Sequence, residues 1–459
     1  MFHELSKEQI LKMGEETTNE RMRKVKLAKT RKFDTIATHG IYDLSQALNS
    51  NSASIMEPIY LSSAQVYRNT AELEAAYEYI IPAWIYSRVA NPSTAFLEDT
   101  MALLETYGSD IIASCCATSS GLSAIRSATD ALLVNDNSLP KMNFVSCAKI
   151  YGGTFQQFSV RRMQDQGIEV RWVKDPLNIE EWASKIDKGT RFLYGEFPTN
   201  PGVSIFDIPK IAELAHSHGI PLIVDSTCAS PALTRPLVLG ADIVVHSATK
   251  VIGSSGTSIA GFLIAKLNIP SIVGSDDMKS DFANYIKYLP FRDNGPGISP
   301  MSAIMLLNDL RWLRMRVAQM SKSALKIAAW LEKHPKIAKV HYPGLKSFRA
   351  YDIAKKYMKL ADTDENAYGF MLAAEIKEAK EGELKNTPVF YDALNLMWRA
   401  TDLGRVKTIA TLCALSTHHQ QGESGRSLAE IAPSTCRISV GIEDPDDLIS
   451  DLEQALAKI

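Results

Sequence analysis

The sequence predicts an α/β protein built on a mostly parallel β-sheet, and three observations lead there. Seven apolar runs recur at 111–113, 143–146, 170–173, 191–194, 221–224, 243–245 and 259–265. They are continuous rather than alternating, as strands buried on both faces are. Helical patterns separate several of them, and strands alternating with helices give parallel neighbours. Finally, most runs are followed by small, hydroxylated or charged residues, and such sheets bind ligands just beyond the carboxyl ends of their strands.

Taken in order, residues 1–65 read as an N-terminal arm, its first 30 residues densely charged with little apolar face. Residues 66–290 carry the seven runs and form the large domain. In "FDIPKIAELAHSHGIPLIVDST", Ile208, Ile211, Ala212 and Ala215 fall on one helical face. Asp207 serves as N-cap, Pro209 sits in the first turn and Gly219 ends the helix. Residues 291–459 form a smaller C-terminal α/β domain, entered by a helical pattern from Pro300 to about His334. It holds the strands "YGFMLAAEI" and "TCRISVGIE" and a closing helix with Leu448, Ile449, Leu452 and Leu456 on one face.

Composition narrows the function. The chain has 459 residues, 46% hydrophobic and 22% charged, with a formal net charge of −2. That is globular composition with no basic footprint for nucleic acid or anionic membrane. No apolar stretch approaches the roughly 20 residues a membrane span needs. The six cysteines form no CxxC pair, so neither a disulfide framework nor a zinc site is expected. His216 and His218, close together at a helix end, read as exposed side chains rather than metal ligands. The expectation is a soluble cytoplasmic protein.

The chemistry sits after the runs. "ATSSGLSAI" (117–125) opens a helix with small residues, so backbone N–H groups there can cradle a phosphate; the plainer reading is a glycine turn. Tyr151 lies on the glycine loop "YGGT", as a packed tyrosine or as a stacking platform. Asp225 follows four apolar residues, where a carboxylate needs a cationic partner or serves as a turn cap. Lys250, with Ser247 and Thr249, stands at the mouth of another buried run. Together the set describes one ligand. A desolvated amine forms a Schiff base with an aldehyde. A carboxylate keeps a pyridine nitrogen protonated, an aromatic covers the ring, and hydroxyls with loop amides hold a phosphate. That ligand is pyridoxal 5′-phosphate (PLP).

The motifs "YSRVANPS" (86–93), "ATSSGLSAI", "YGGT", "EFPTNP" (196–201), "VDSTCASP" (224–231), "HSATK" (246–250), "YPGL" (342–345) and "RISVGIED" (437–444) recur in one order. In them the chain resembles the Cys/Met-metabolism (trans-sulfuration) family of PLP-dependent enzymes of fold type I, from about Phe33 onward. The resemblance implies a transferase fold with a mostly parallel seven-stranded sheet and a smaller C-terminal domain. It implies that Lys250 carries the cofactor, Asp225 pairs with its ring nitrogen beside Thr227, and Tyr151 stacks on the ring. Ser120, Gly121 and Leu122, with the Ser247 and Thr249 hydroxyls, would bind the phosphate. Asn200 would bond the phenolic oxygen, and Arg437 would clamp the substrate carboxylate. Tyr86 and Arg88 would reach the phosphate of a neighbouring subunit, so a homo-oligomer, usually a tetramer, is implied.

Within the family three features are similar to O-acetylhomoserine sulfhydrylases. They are "GTSI" (256–259) after the lysine, Gly153 where methionine γ-lyases usually place cysteine, and "STHHQQ" (416–421). Two residues depart: Ser255 replaces a usual histidine, and Asp402 of "TDLG" replaces the usual Asn or Ser at the substrate-carboxylate site. The resemblance implies γ-replacement on O-acetyl-L-homoserine by sulfide or a small thiol, giving homocysteine or methionine and acetate. The alternative is γ-elimination, as in methionine γ-lyases and cystathionine enzymes. A non-catalytic paralogue that kept the fold is the rival of another class, and no metal is expected.

Overall fold

A computed structural model describes residues 5–363, 365–380 and 382–459. Its larger sheet is made of β1 (Ala113–Thr118), β2 (Asn143–Cys147), β3 (Glu169–Val173), β4 (Thr190–Glu196), β5 (Leu222–Asp225), β6 (Ile243–His246) and β7 (Gly261–Lys266). The strand order is β1-β7-β6-β5-β4-β2-β3. β6, β5, β4, β2 and β3 run parallel, and β7 alone is antiparallel to both its neighbours, β1 and β6. That pattern fixes the site: β1, β2, β4, β5 and β6 all end at the same edge, and the chain must turn back there to start β7.

All seven runs start within two residues of a strand. The first nonetheless overlaps its strand only at Ala113. β1 is "ASCCAT", and the run at 111–113 only leads into it. Ala ranks low as a strand former in isolation. Here Cys115, Cys116 and Ala117 are buried, and β1 pairs with β7 from Ala113↔Lys266 to Thr118↔Gly261, so close packing decides.

The helix Ile208–Ser217 forms as its pattern requires, with the Asp207 side chain accepting from the Lys210 amide and Gly219 at φ +69°. The pattern after Pro300 yields two helices, Pro300–Leu310 and Leu313–Leu331, rather than one. The Asp309 carbonyl accepts from the Trp312 amide at 3.3 Å and from the Arg316 guanidinium, which breaks the i→i−4 ladder at that point.

The second sheet holds β8 (Ile337–His341), β9 (Met371–Ile376), β10 (Trp398–Arg399), β11 (Ile409–Leu412) and β12 (Thr435–Ser439), in the order β10-β11-β12-β9-β8. The closing helix Pro445–Leu456 buries Leu448, Leu452 and Leu456, each worth about 1.5–3 kcal/mol of hydrophobic transfer. At the other end, the charged segment is a helix, Lys7–Lys29, started by a Ser6/Gln9 capping box. It is not wholly exposed, since Ile10, Gly14 and Ala28 are buried.

Candidate active site

The shared strand edge gathers most of the expected residues. β1 leads through Ser120, whose hydroxyl caps the helix Gly121–Asp130 by accepting from the Ser123 amide. The Ser120 carbonyl takes the Ala124 amide, leaving the Gly121 and Leu122 amides at the open end of the helix. A Cβ on Gly121 would stand 2.6 Å from the Cβ of Ser247, so only glycine lets this helix end approach the lysine loop. Ser247 is itself held by its amide, which donates to the Thr227 hydroxyl at 2.7 Å. Thr249 differs from its neighbours: its hydroxyl bonds the Ala260 amide at 3.1 Å and the Ala260 carbonyl at 3.2 Å, bracing the loop from within.

Asp225 closes β5, is buried, and accepts from the Thr227 amide at 2.9 Å. It is therefore a turn cap and a buried carboxylate at once. Burial pushes its carboxyl up, and the Thr227 hydrogen bonds pull it partway back. Beside it in register, at the end of β4, stands Glu196, whose carboxyl is driven well above its ordinary range by burial and by Asp225. Glu196 accepts from the Asn200 amide at 3.2 Å. Tyr151 lies over its own loop, since a Cβ on Gly153 would meet the tyrosine Cε1 at 2.5 Å. Burial, then Glu196, raise its hydroxyl pKa, against the pull of Arg437.

The second sheet supplies the facing wall. Arg437 on β12 is fully buried. It donates to Asn200 Oδ1 at 3.0 Å, to the Asp402 carbonyl at 2.8 Å and to Thr411 Oγ1 at 3.0 Å. Its Nε is buried without a partner among the described residues. Lys250 Nζ donates to Asp402 Oδ1 at 2.9 Å, and Asp402 Oδ2 accepts from Arg405 Nε. Burial would raise the Asp402 carboxyl, but the Lys250 ammonium, with Arg405 and the Leu403 amide, holds it below the usual carboxylate range.

Three of these groups carried no assignment in the sequence. Glu196 shows the same signal as Asp225, an acid closing a buried strand. Arg405 sits three residues after Asp402, an i,i+3 pairing that can be read in advance. His418 gave no such signal. Its ring lies edge-on to Tyr151 with centroids 6.5 Å apart, and burial, then Arg437, depress its pKa to about 4. The segment that carries it is pressed on the tyrosine loop, because a Cβ on Gly152 would stand 2.1 Å from the Thr417 carbonyl oxygen. Of the departures, Ser255 donates to Asp309 Oδ2 at 2.6 Å. Tyr86 and Arg88 stack on each other, the guanidinium 5.4 Å from the ring, and Arg88 donates to the Arg292 carbonyl.

These residues fit pyridoxal 5′-phosphate. A helix end opened by the single glycine Gly121, a buried carboxylate with spare acceptor capacity and an accessible amine match a phosphate, a ring nitrogen and an aldehyde. Beside them, the Arg437 Nε is a buried donor with no partner among the described residues.

Known proteins point the same way. The chain is 30% identical to homocysteine/cysteine synthase of Saccharomyces cerevisiae, covering 93% of this chain and 98% of that one. It is 33% identical to L-methionine gamma-lyase of Fusobacterium nucleatum subsp. polymorphum, over 88% and 93% respectively. A Campylobacter jejuni structure assigned as an O-acetylhomoserine (thiol)-lyase superposes with a TM-score of 0.81 at 29% identity, covering 93% of this chain and 100% of that one, and carries a pyridoxyl-lysine phosphate. The model for the Cys/Met metabolism PLP-dependent enzymes matches residues 37–457, and the chain belongs to that family.

Proposed function

We propose that this enzyme performs γ-replacement on O-acetyl-L-homoserine, with sulfide or a small thiol displacing acetate to give homocysteine or methionine. The observation that carries this reading is the Tyr151 ring over Gly153. A Cβ at 153 would meet the ring at 2.5 Å, so the cysteine of methionine γ-lyases would require Tyr151 to shift, while glycine lets the ring lie where it is. Similarity to the yeast homocysteine/cysteine synthase supports the same choice.

When bound, the cofactor supplies an electron sink that stabilises negative charge at the substrate Cα. The chain's residues supply the rest. Asp225 keeps the proton on the ring nitrogen. Ser247 and the Gly121 and Leu122 amides hold the phosphate against the helix dipole. Arg437, oriented by Asn200 and Thr411, receives the α-carboxylate. Lys250, once free, takes the Cα proton and returns one at the neighbouring carbon. Tyr151 would assist proton transfer near the departing acetate or the arriving thiol.

The active form is a homo-oligomer. Exposed apolar side chains cluster at Ile55, Met56, Ile59, Leu61, Val66 and Trp84. Such a patch marks an interface, and it precedes Tyr86 and Arg88, which complete a neighbour's phosphate site.

A paired product assay tests the reaction, with O-acetyl-L-homoserine plus sulfide in one tube and L-methionine alone in the other. Homocysteine in the first and no 2-oxo acid in the second is the expected result. A 2-oxo acid from methionine makes the enzyme an eliminating lyase, the reading that the Fusobacterium relative favours.

A further inference from the structure

Asp402 is the point where the second sheet touches the reactive lysine. Its carboxylate is 2.9 Å from Lys250 Nζ, although the two residues lie 152 positions apart in the chain. It is not free to drift. Arg405 fixes its other oxygen, and Arg405 Nη1 donates to the Thr249 carbonyl at 2.6 Å and the Gly253 carbonyl at 2.8 Å, on either side of Lys250. Gly404, at φ +73°, lets the turn press against the same loop, since a Cβ there would lie 2.5 Å from the Val251 amide nitrogen. The carboxylate is thus clamped to the very segment it holds.

We infer that Asp402 is a latch on Lys250, keeping its nitrogen in an ion pair until the cofactor aldehyde takes it. The inference rests on Lys250 being the attachment point. Capture proceeds as follows: Lys250 leaves Asp402 and loses one proton to solvent. Its lone pair then forms the bond to the aldehyde carbon. The two remaining N–H protons depart with the aldehyde oxygen as water, leaving a C=N bond. No oxidant or further reactant is needed. An Asn or Ser at 402 can offer a hydrogen bond but no charge, so this chain should take up cofactor more slowly than an uncharged version. The other charged or titratable groups around the pair are Arg405 and Arg437 from the second sheet and Glu196, Asp225 and Cys228 from the strand ends. Only Arg405 bonds the same carboxylate.

The test strips cofactor from the full-length chain, adds pyridoxal 5′-phosphate, and follows capture by absorbance and by the label that borohydride fixes. At pH 7 Asp402→Asn should capture about tenfold faster than the parent chain, as loss of an ion pair worth about 1 kcal/mol predicts. The gap should narrow as salt is raised, because screening weakens the ion pair of the parent chain and leaves the neutral variant unaffected. Asp402→Ser is the second variant, should Asn perturb the melting curve, and it should behave alike. A merely structural residue would not give a salt-dependent gap. Equal or slower capture across the salt range, with the label mapped to Lys250, overturns the latch alone. A label that persists in Lys250→Ala overturns the attachment point itself, a separate failure.

Discussion

The two walls of the site are built by different means. On the larger sheet, each functional residue hangs from a strand end by a few residues: Gly121 after β1, Tyr151 after β2, Asn200 after β4, Asp225 on β5 and Lys250 after β6. On the second sheet, only Arg437 lies within a strand, and Asp402, Arg405 and His418 sit on turns. Contacts between the walls span long stretches of chain, 237 residues for Arg437 to Asn200. Strand ends are placed by the backbone ladder and tolerate little movement. Turns are placed by their own side-chain bonds, so the second wall is where a change of one residue redirects chemistry while the fold survives.

The contrast is broken most forcefully at Asp225. In its proposed role, removing it would leave the cofactor's ring nitrogen without a buried counter-charge, a loss of about 3–5 kcal/mol, or roughly 10²–10⁴-fold in turnover. Asp225→Ala should keep most of its cofactor, because the phosphate cradle and Lys250 are intact. Absorbance at the cofactor band alongside steady-state kcat measures both. Near-normal turnover would remove Asp225 from its role.

This difference between the walls also explains what was legible in the sequence. Apolar runs and the residues following them located β2 to β7, Tyr151, Asp225 and Lys250, because sheet position follows directly from order along the chain. β1 was displaced because small residues pack as a strand only when neighbours on both sides leave no room for larger ones. Arg437 alone reads as an edge-strand charge; only the family resemblance gave it a substrate role. Asp402 was legible as a departure, but its partner was not, since nothing local announces a contact with a lysine 152 residues away. His418 was invisible because its role depends on burial behind Tyr151, and a quoted "STHHQQ" does not say which histidine turns inward.

His418 sharpens the comparison through pH. Its folded pKa of about 4 lies below the reference of 6.5, so it stays neutral when folded while the unfolded chain takes up a proton. Above pH 6.5 both states are neutral and the burial is free of penalty. As pH falls from 6.5 towards 4, only the unfolded state gains a proton, so stability is lost across that window and levels off below it. The full loss is about 3 kcal/mol. Melting temperatures between pH 4 and 7 should fall more steeply in the parent chain than in His418→Gln. Parallel curves would mean that His418 is protonated when folded.

The smallest effect concerns the turn that carries the latch. Gly404 has φ +73°, a region that costs residues with a Cβ, and the Cβ of an alanine would also meet the Val251 amide nitrogen at 2.5 Å. Gly404→Ala should therefore destabilise by about 1–3 kcal/mol. Relief comes only by moving the turn away from the lysine loop, because the opposing atom is backbone. The second sheet has little reason to change, since the turn's ties at risk are the Gly404 amide's bond to the Ser439 hydroxyl and the Asp402 carbonyl's bond from Arg437, both at 2.8 Å. The variant should then show two signs together: a modestly lower melting temperature, and cofactor capture shifted towards that of Asp402→Asn, since Asp402 retreats with the turn. A lower melting temperature with unchanged capture would mean that Arg405 alone holds the carboxylate on Lys250. The rigidity of the second wall would then reside in that one guanidinium rather than in the backbone of the turn.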